Sequence, residues 1–244
     1  MKQEIGVITA LYRYPVKSMA GEVLDKSDLG WHGLSGDRRL AFRRVGDTSG
    51  FPWLTASKLR DLLLFTPFRE NGSLVSNISA ENIPTHVRTP EGTILEIQSD
   101  VLRQDVSRRC NADVELTHLK HGIFDEAPIS LISTATMNAI ETNVDIRRFR
   151  PNIVIETVEN TPFAEDAWVG KSIWFGEAEG NAALSVTLLD ERCMMINLDP
   201  NTAESNPSMM KSVVKLNNNC AGVYCTVTRT GTIAVGQKIY VTTP

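Results

Sequence analysis

Cysteine is the residue type here with the most chemistry to offer. Four occur, Cys110, Cys193, Cys220 and Cys225. No pair has C-x-x-C spacing, so neither a zinc ribbon nor a thioredoxin-type motif is encoded. Cys193 stands in Asp190-Glu191-Arg192-Cys193-Met194-Met195, directly after an apolar, strand-like run. A neighbouring arginine favours the thiolate, the form that attacks electrophiles and ligates metals. Soft thiolate suits copper(I), zinc, iron–sulfur and other thiophilic metals. The alternative reading is a small packed hydrophobe at a strand end. Cys220 and Cys225 have no His or Cys cluster near them in sequence to complete a metal site.

The second chemical signal is cationic. Arg147-Arg148-Phe149-Arg150-Pro151-Asn152 precedes an apolar run, Lys17-Ser18 follows Tyr14-Pro15-Val16, and Arg38-Arg39 follows Gly36-Asp37. Guanidinium forks suit phosphate and carboxylate. Each group alone reads as a solvated rim; together, beside Gly-rich connections, they point to an anionic ligand. A helix starting at Ser133-Thr134 adds backbone N–H donors of the kind that hold phosphate. His32, His86, His118 and His121 form no metalloprotease pattern, and no nucleophile elbow, Walker A loop or dinucleotide fingerprint occurs. His121 with Asp125 reads either as an acid–base pair or as loop capping.

These groups need a scaffold. The chain has 244 residues, 42% apolar and 22% charged, with 25 basic and 29 acidic residues for a net charge of −4. That composition excludes a disordered chain, a coiled coil and a collagen-like fibre. The acidic balance argues against a dedicated nucleic-acid partner. No run approaches the roughly 18 apolar residues that span a bilayer, and Met1 to Ile5 does not begin a secretory signal. The expected compartment is the cytoplasm, with no membrane span.

Periodicity predicts a mainly β chain with few short helices. Strands are expected over Ile5 to Tyr12, Gly21 to Leu29, Arg38 to Val45, Ile94 to Ile97 and Val114 to His118. The runs at 21–29 and 38–45 flank Gly30-Trp31-His32-Gly33-Leu34-Ser35-Gly36, which suggests a hairpin or meander. Leu59 to Phe65 is a further apolar run. A helix is expected near Val101 to Arg108. In the second half, strands are expected at Ile129 to Ile132, Asn152 to Ile155, Ser172 to Phe175 and Leu184 to Leu189. Ser133 or Thr134 N-caps one helix, and Pro207 to Leu216 forms another. Gly222 to Arg229 and Thr232 to Val241 read as a hairpin around Thr230-Gly231.

In their order, these segments resemble a family. Leu11-Tyr12-Arg13-Tyr14-Pro15-Val16-Lys17-Ser18 and Gly33-Leu34-Ser35-Gly36-Asp37-Arg38-Arg39 are similar to the N-terminal β-barrel that precedes MOSC domains. Phe149-Arg150-Pro151-Asn152-Ile153-Val154, Pro162 to Trp168, Arg192-Cys193, Asp199-Pro200, Gly222-Val223-Tyr224 and Gly231 to Gly236 resemble the MOSC domain itself. The layout is similar to bacterial and mitochondrial amidoxime-reducing proteins. The resemblance implies a β-barrel-like MOSC domain over 119–244 joined to an N-terminal β-barrel-like domain over 1–118.

The resemblance also implies a molybdopterin-type molybdenum cofactor between the two parts. Cys193 matches the cysteine that ligates molybdenum and carries the catalysis. Lys17, Ser18, Arg38, Ser133, Thr134, Arg150 and Asn152 match cofactor contacts, and Asp199 matches an acidic residue of less defined role. Two departures stand out. Asp190 occupies a position where the reductases often carry an earlier cysteine. Ala203 replaces the glycine of the usual Asp-Pro-x-Thr-Gly turn. No iron–sulfur domain is expected after Pro244 and no pyridoxal-phosphate domain is visible, so a reductase of this layout takes electrons from separate proteins. Two functions follow: a reductase of small N-hydroxylated compounds, or a non-redox carrier of cofactor or sulfur with Cys193 as a persulfide.

Overall fold

Ile5, Ile8 and Leu11 of the first strand face one core across two breaks in register, and that strand closes a barrel. The fold is taken from a computed structural model that describes residues 2–69 and 82–242. In chain order the strands of the first half are β1 (Lys2–Arg13), β2 (Glu22–Leu24), β3 (Lys26–Gly30), β4 (Gly33–Leu34), β5 (Leu40–Arg44), β6 (Thr66–Phe68), β7 (His86–Arg88), β8 (Ile94–Glu96) and β9 (Val114–His118), with helix α1 (Asp100–Cys110) before β9. The second half holds β10 (Ile129–Ser133), α2 (Thr134–Ile140), β11 (Ile153–Thr157), β12 (Ser172–Phe175), β13 (Ala183–Glu191), α3 (Ser208–Asn217), β14 (Cys220–Arg229), β15 (Gly231–Ala234) and β16 (Lys238–Thr242).

Seven strands form the barrel, in the order β11-β10-β14-β13-β12-β16-β1, and β1 pairs back onto β11. All pairs are antiparallel except β10–β11. A parallel pair needs a crossover, and α2 with the 3-10 turn Ile146–Arg148 supplies it. Gly6 sits where a Cβ would lie 2.2 Å from the Glu156 carbonyl oxygen. Only glycine lets β1 approach β11 so closely.

The continuous apolar runs have two covered faces. In β11, Ile153 and Ile155 point into the barrel core, while Val154 packs outward beneath α2 and α3. Strand alternation sorts them. Burying one such side chain contributes about 1.5–3 kcal/mol.

A second core, with Val16, Leu40, Phe42, Leu62, Phe65, Val87, Leu102 and Val114, lies under α1, the β5–β9 ribbon and the β6–β7–β8 sheet. Ser99 caps α1 by accepting from Leu102 N at 3.3 Å. Leu11 belongs to the first core and Val16 to the second. The segment between them is therefore the seam.

Three local expectations are corrected. The Gly-rich connection at 30–36 does not join a hairpin of its flanking runs: β3 pairs with β4 and β15, and β5 pairs with β9. Leu59–Phe65 is mainly a 3-10 turn, Arg60–Leu64. Thr230-Gly231 is not a hairpin turn, because β15 pairs with β3 while β16 runs between β1 and β12. In the two hairpin cases pairing with a distant strand satisfies the backbone better than a local turn does.

Candidate functional site: a cationic seam beside Cys193

The end of β1 places Tyr14 at the seam. Its ring is buried, and its backbone is clipped to the next loop. Tyr14 N donates to Asp37 Oδ1 at 2.7 Å, and Arg38 N donates to the Tyr14 carbonyl at 2.8 Å. The guanidinium carbons of Arg38 and Arg150 lie 5.0 and 4.2 Å from the Tyr14 ring centroid. Cation–π attraction holds both there. The Tyr14 hydroxyl is buried and has no hydrogen-bond partner among the described residues. Burial raises its pKa well above the usual phenol range, so at neutral pH it is a proton donor without an acceptor.

The two arginines are held differently. Arg38 donates to buried Asp37 at 2.5 Å, to Asn152 Oδ1 at 3.3 Å and to the Arg150 carbonyl at 3.1 Å. Burial lowers its pKa, but Asp37 outweighs that and the net shift is upward. Among the described residues, nothing accepts a hydrogen bond from the Arg150 guanidinium; its close contact is the Tyr14 ring. Burial pushes its pKa down to about 10, and the charge of Arg38 adds to the fall. At neutral pH it remains a cation, under-compensated.

Lys17 completes the corner. Its buried ammonium donates to Asp125 Oδ1 at 2.7 Å and to the Ile123 carbonyl at 3.2 Å, with the Phe51 ring 5.2 Å away. Burial lowers its pKa, and Asp125 opposes the fall. Ser18 follows, buried. Ser18, Arg38 and Arg150 all adopt left-handed backbone, at φ +65°, +48° and +50°. Such positions cost on the order of 1–3 kcal/mol each and gather at ligand sites. Asn152 is the clip behind them: Oδ1 also accepts from Ser130 N at 3.1 Å, and Nδ2 donates to the Tyr12 carbonyl at 3.3 Å.

Cys193 is exposed and unpaired, at the start of the 3-10 turn Met194–Asn197. The expectation that Arg192 acts on this thiol is corrected. The guanidinium turns inward, donating to the Ala221 carbonyl from Nε at 2.7 Å and to the Phe149 carbonyl at 2.8 Å, and it lies 2.9 Å from Asp190. Its charge is met by Asp190, so Arg192 is a clamp. Gly222 allows it: at φ +85°, a Cβ there would come 3.2 Å from Arg192 Nη2 and 2.6 Å from the Leu131 carbonyl. Because the clamp joins residues 192 and 149, Cys193 and Arg150 each follow directly on a fixed point. Asp190 is buried, which raises its pKa, and it accepts from Ser130 Oγ at 2.7 Å.

The remaining sequence candidates lie elsewhere. Ser133 caps α2, accepting from Thr136 N at 3.1 Å. Buried Glu165 accepts from Ser133 N at 3.1 Å and from its Oγ at 3.0 Å. The chain's own carboxylate therefore takes the Ser133 donors at the helix start. Thr134 is half-buried beside it. Asp199 builds a turn, accepting from Asn201 N at 2.9 Å and pairing with Arg148 at 2.7 Å. Ala203 closes that turn at φ +58°, a backbone conformation that glycine adopts without strain. His121 does not pair with Asp125; its ring stacks on His32 at 4.2 Å. Of the other thiols, Cys225 is buried and its pKa raised by burial, and Cys110 and Cys220 are half-buried.

Sequence reasoning missed Tyr14 and Asp37 as site members, and Glu165 altogether. Tyr14 and Asp37 were visible only as neighbours of Lys17 and Arg38. Glu165 lies 32 residues from Ser133, and nothing local joins them.

The MOSC domain model matches residues 118–240, half of the chain. The chain belongs to the MOSC domain family. This MOSC chain is 23% identical over 290 aligned residues to mitochondrial amidoxime reducing component 2 of Bos taurus, covering 98% of this chain and 84% of that one. It is 24% identical to mitochondrial amidoxime-reducing component 1 of Homo sapiens, covering 98% and 83%. The crystal structure of the YUAD protein from Bacillus subtilis matches with a TM-score of 0.52 at 16% identity, over 99% of this chain and 98% of that chain. That likeness concerns the fold alone. Among the described residues of the MOSC chain, no helix is long and apolar enough to cross a membrane.

Proposed function

We propose that this chain holds a molybdenum cofactor at the seam and reduces small N-hydroxylated compounds with it. One observation carries the reading: the Arg150 guanidinium, without an anionic partner among the described residues, lies over the ring of Tyr14, whose buried hydroxyl is also unmet. A buried donor left unmet costs about 1–3 kcal/mol, and an anion at that corner removes the cost. The donor set fits the group. Lys17, Ser18, Arg38 and Arg150 suit its phosphate, and the exposed Cys193 sulfur suits its soft metal. Asn152, Ser133 and Asp199 are engaged within the chain and hold backbone in place.

Bound there, the cofactor supplies two-electron redox chemistry. Reduction of an N–OH group takes two electrons and two protons and releases water. The chain's part is to fix the anionic end through its cations and to hold Cys193 on the Arg192 clamp. The electrons come from separate proteins, and the working compartment is the cytoplasm. The relatives named amidoxime-reducing components support this reaction class.

The test is expression in a host that makes the cofactor, followed by metal and pterin analysis. Molybdenum near one per chain is expected, lost in Cys193→Ala while the pterin falls less. Absence of molybdenum from both proteins overturns the reading. Amidoxime reduction with an artificial electron donor then separates reductase from carrier. Bound molybdenum without turnover supports the cofactor carrier, and sulfane sulfur on Cys193 in molybdenum-free protein supports the persulfide carrier.

A further inference from the structure

The seam holds two carboxylates of opposite character. Asp37 is fully buried and bonded on both oxygens, by Tyr14 N and by Arg38. It cannot leave. Asp125 has its side chain 60% exposed and touches the site through one 2.7 Å bond to Lys17, whose own side chain is 5% exposed. It sits in a segment between β9 and β10 without helix or strand geometry. The backbone there is pinned, since Ile123 N donates to the Arg38 carbonyl at 2.8 Å. Asp125 can therefore turn into water by side-chain rotation alone.

Lys17 cannot follow it. A buried ammonium without a counter-charge is strongly disfavoured, so Asp125 leaves only when another anion arrives. With Asp125 turned out, Lys17, Arg38 and Arg150 against Asp37 carry a formal charge of +2. A singly charged ligand exchanges one monoanion for another. A doubly charged one meets the whole charge.

We propose that Asp125 is a resident counter-ion of the seam, and that its displacement selects phosphate dianions over singly charged ligands. This rests on the reading of the seam as an anion site. The geometry makes Asp125 a specificity-determining residue, and it touches no reacting atom.

The experiment uses the full chain purified from a host that does not make the cofactor. Calorimetric titration with inorganic phosphate, phenyl phosphate and acetate reads the affinities. The wild type binds both phosphates above acetate. In Asp125→Asn, phosphate affinity rises about three- to tenfold, the scale of one partly exposed ion pair. Acetate, which in the wild type only exchanges one monoanion for another, gains by the same factor and its binding becomes measurable. Asp125→Glu keeps the wild-type preference. Comparing the two phosphates separates a monoester from a free ion; either one gaining in Asp125→Asn supports the proposal. Phosphate binding unchanged or weaker in Asp125→Asn overturns it, provided Arg150→Gln still weakens binding, because the anion site then stands without the counter-ion role. No phosphate binding by any of the proteins overturns the anion reading as well. If Asp125→Asn fails to fold, Asp125→Ser is read against the same criteria.

Discussion

Two corners of this chain look alike in sequence and differ in one respect. Both the Ser133-Thr134 helix start and the Lys17, Arg38 and Arg150 cluster offer donors for an anion. At the first, Glu165 reaches in from a distant 3-10 turn and takes the Ser133 N–H and hydroxyl. At the second, Asp37 meets Arg38 and Asp125 meets Lys17, but Arg150 and the Tyr14 hydroxyl are left without an acceptor. One corner is satisfied by the fold and the other is not. Buried polar groups are nearly always hydrogen-bonded, so each exception calls for an explanation. Donor count alone thus does not mark a ligand site; donors still lacking acceptors after folding do.

The comparison breaks most easily at Glu165. Removing it in Glu165→Ala leaves the buried Ser133 N–H unmet, while the hydroxyl keeps Thr136 Oγ1 at 3.0 Å, at a cost of about 1–3 kcal/mol. The urea midpoint should fall accordingly, with phosphate binding by the folded fraction unchanged. If stability holds and phosphate binding rises instead, the first corner is the ligand site and the assignment reverses. Arg150→Gln is the counterpart. It should lower phosphate affinity about tenfold or more, the worth of one charge-assisted hydrogen bond. Stability should change by about 1 kcal/mol or less, the worth of its one cation–π contact. A large loss of stability with unchanged affinity would make Arg150 a structural residue.

Much of the scaffold was legible because local chemistry encodes it. The Ser133 cap, the run at Ile153–Ile155 and the helix after Pro207 follow from periodicity and capping. The two misread hairpins failed because strand partners lie far off in sequence: β15 finds β3, and β5 finds β9. The cationic members of the site were legible as residue types, and three of them converge on the seam. Their satisfaction was not. Arg192 read as an activator of Cys193, yet its guanidinium is consumed by Asp190 and two carbonyls. The partner of Lys17 turned out to be Asp125, 108 residues away. A charge tells its sign in sequence, but its counter-charge is chosen by the fold.

Strain offers a finer comparison between these regions. Left-handed backbone at Ser18, Arg38 and Arg150 lies in the seam, whereas Ala203 adopts it in the Asp199 turn, where every polar contact is internal. If the turn is only structural, Ala203→Gly should relieve part of a penalty of about 1–2 kcal/mol. Glycine's greater chain entropy offsets part of that gain. A net stabilisation of about 0.5 kcal/mol is expected in thermal unfolding, with ligand affinity untouched. A change in affinity would tie the turn to the site.

The smallest effect concerns the segment that carries Asp125. His32 and His121 stack there at 4.2 Å, both exposed. Desolvation, then the neighbouring His121 and Arg39, lower the His32 pKa from its ordinary 6.5. The folded state therefore resists protonation that the unfolded chain accepts. Stability should fall as pH drops through 6.5 and level off once the pH is below the folded value. Exposure keeps the change small. His121→Gln removes one of the neighbouring charges and should flatten the slope between pH 7 and pH 5 in thermal unfolding. Parallel slopes for the two proteins would mean that the stack carries no electrostatic coupling. The pinned backbone at Ile123 would then owe nothing to the ring contact.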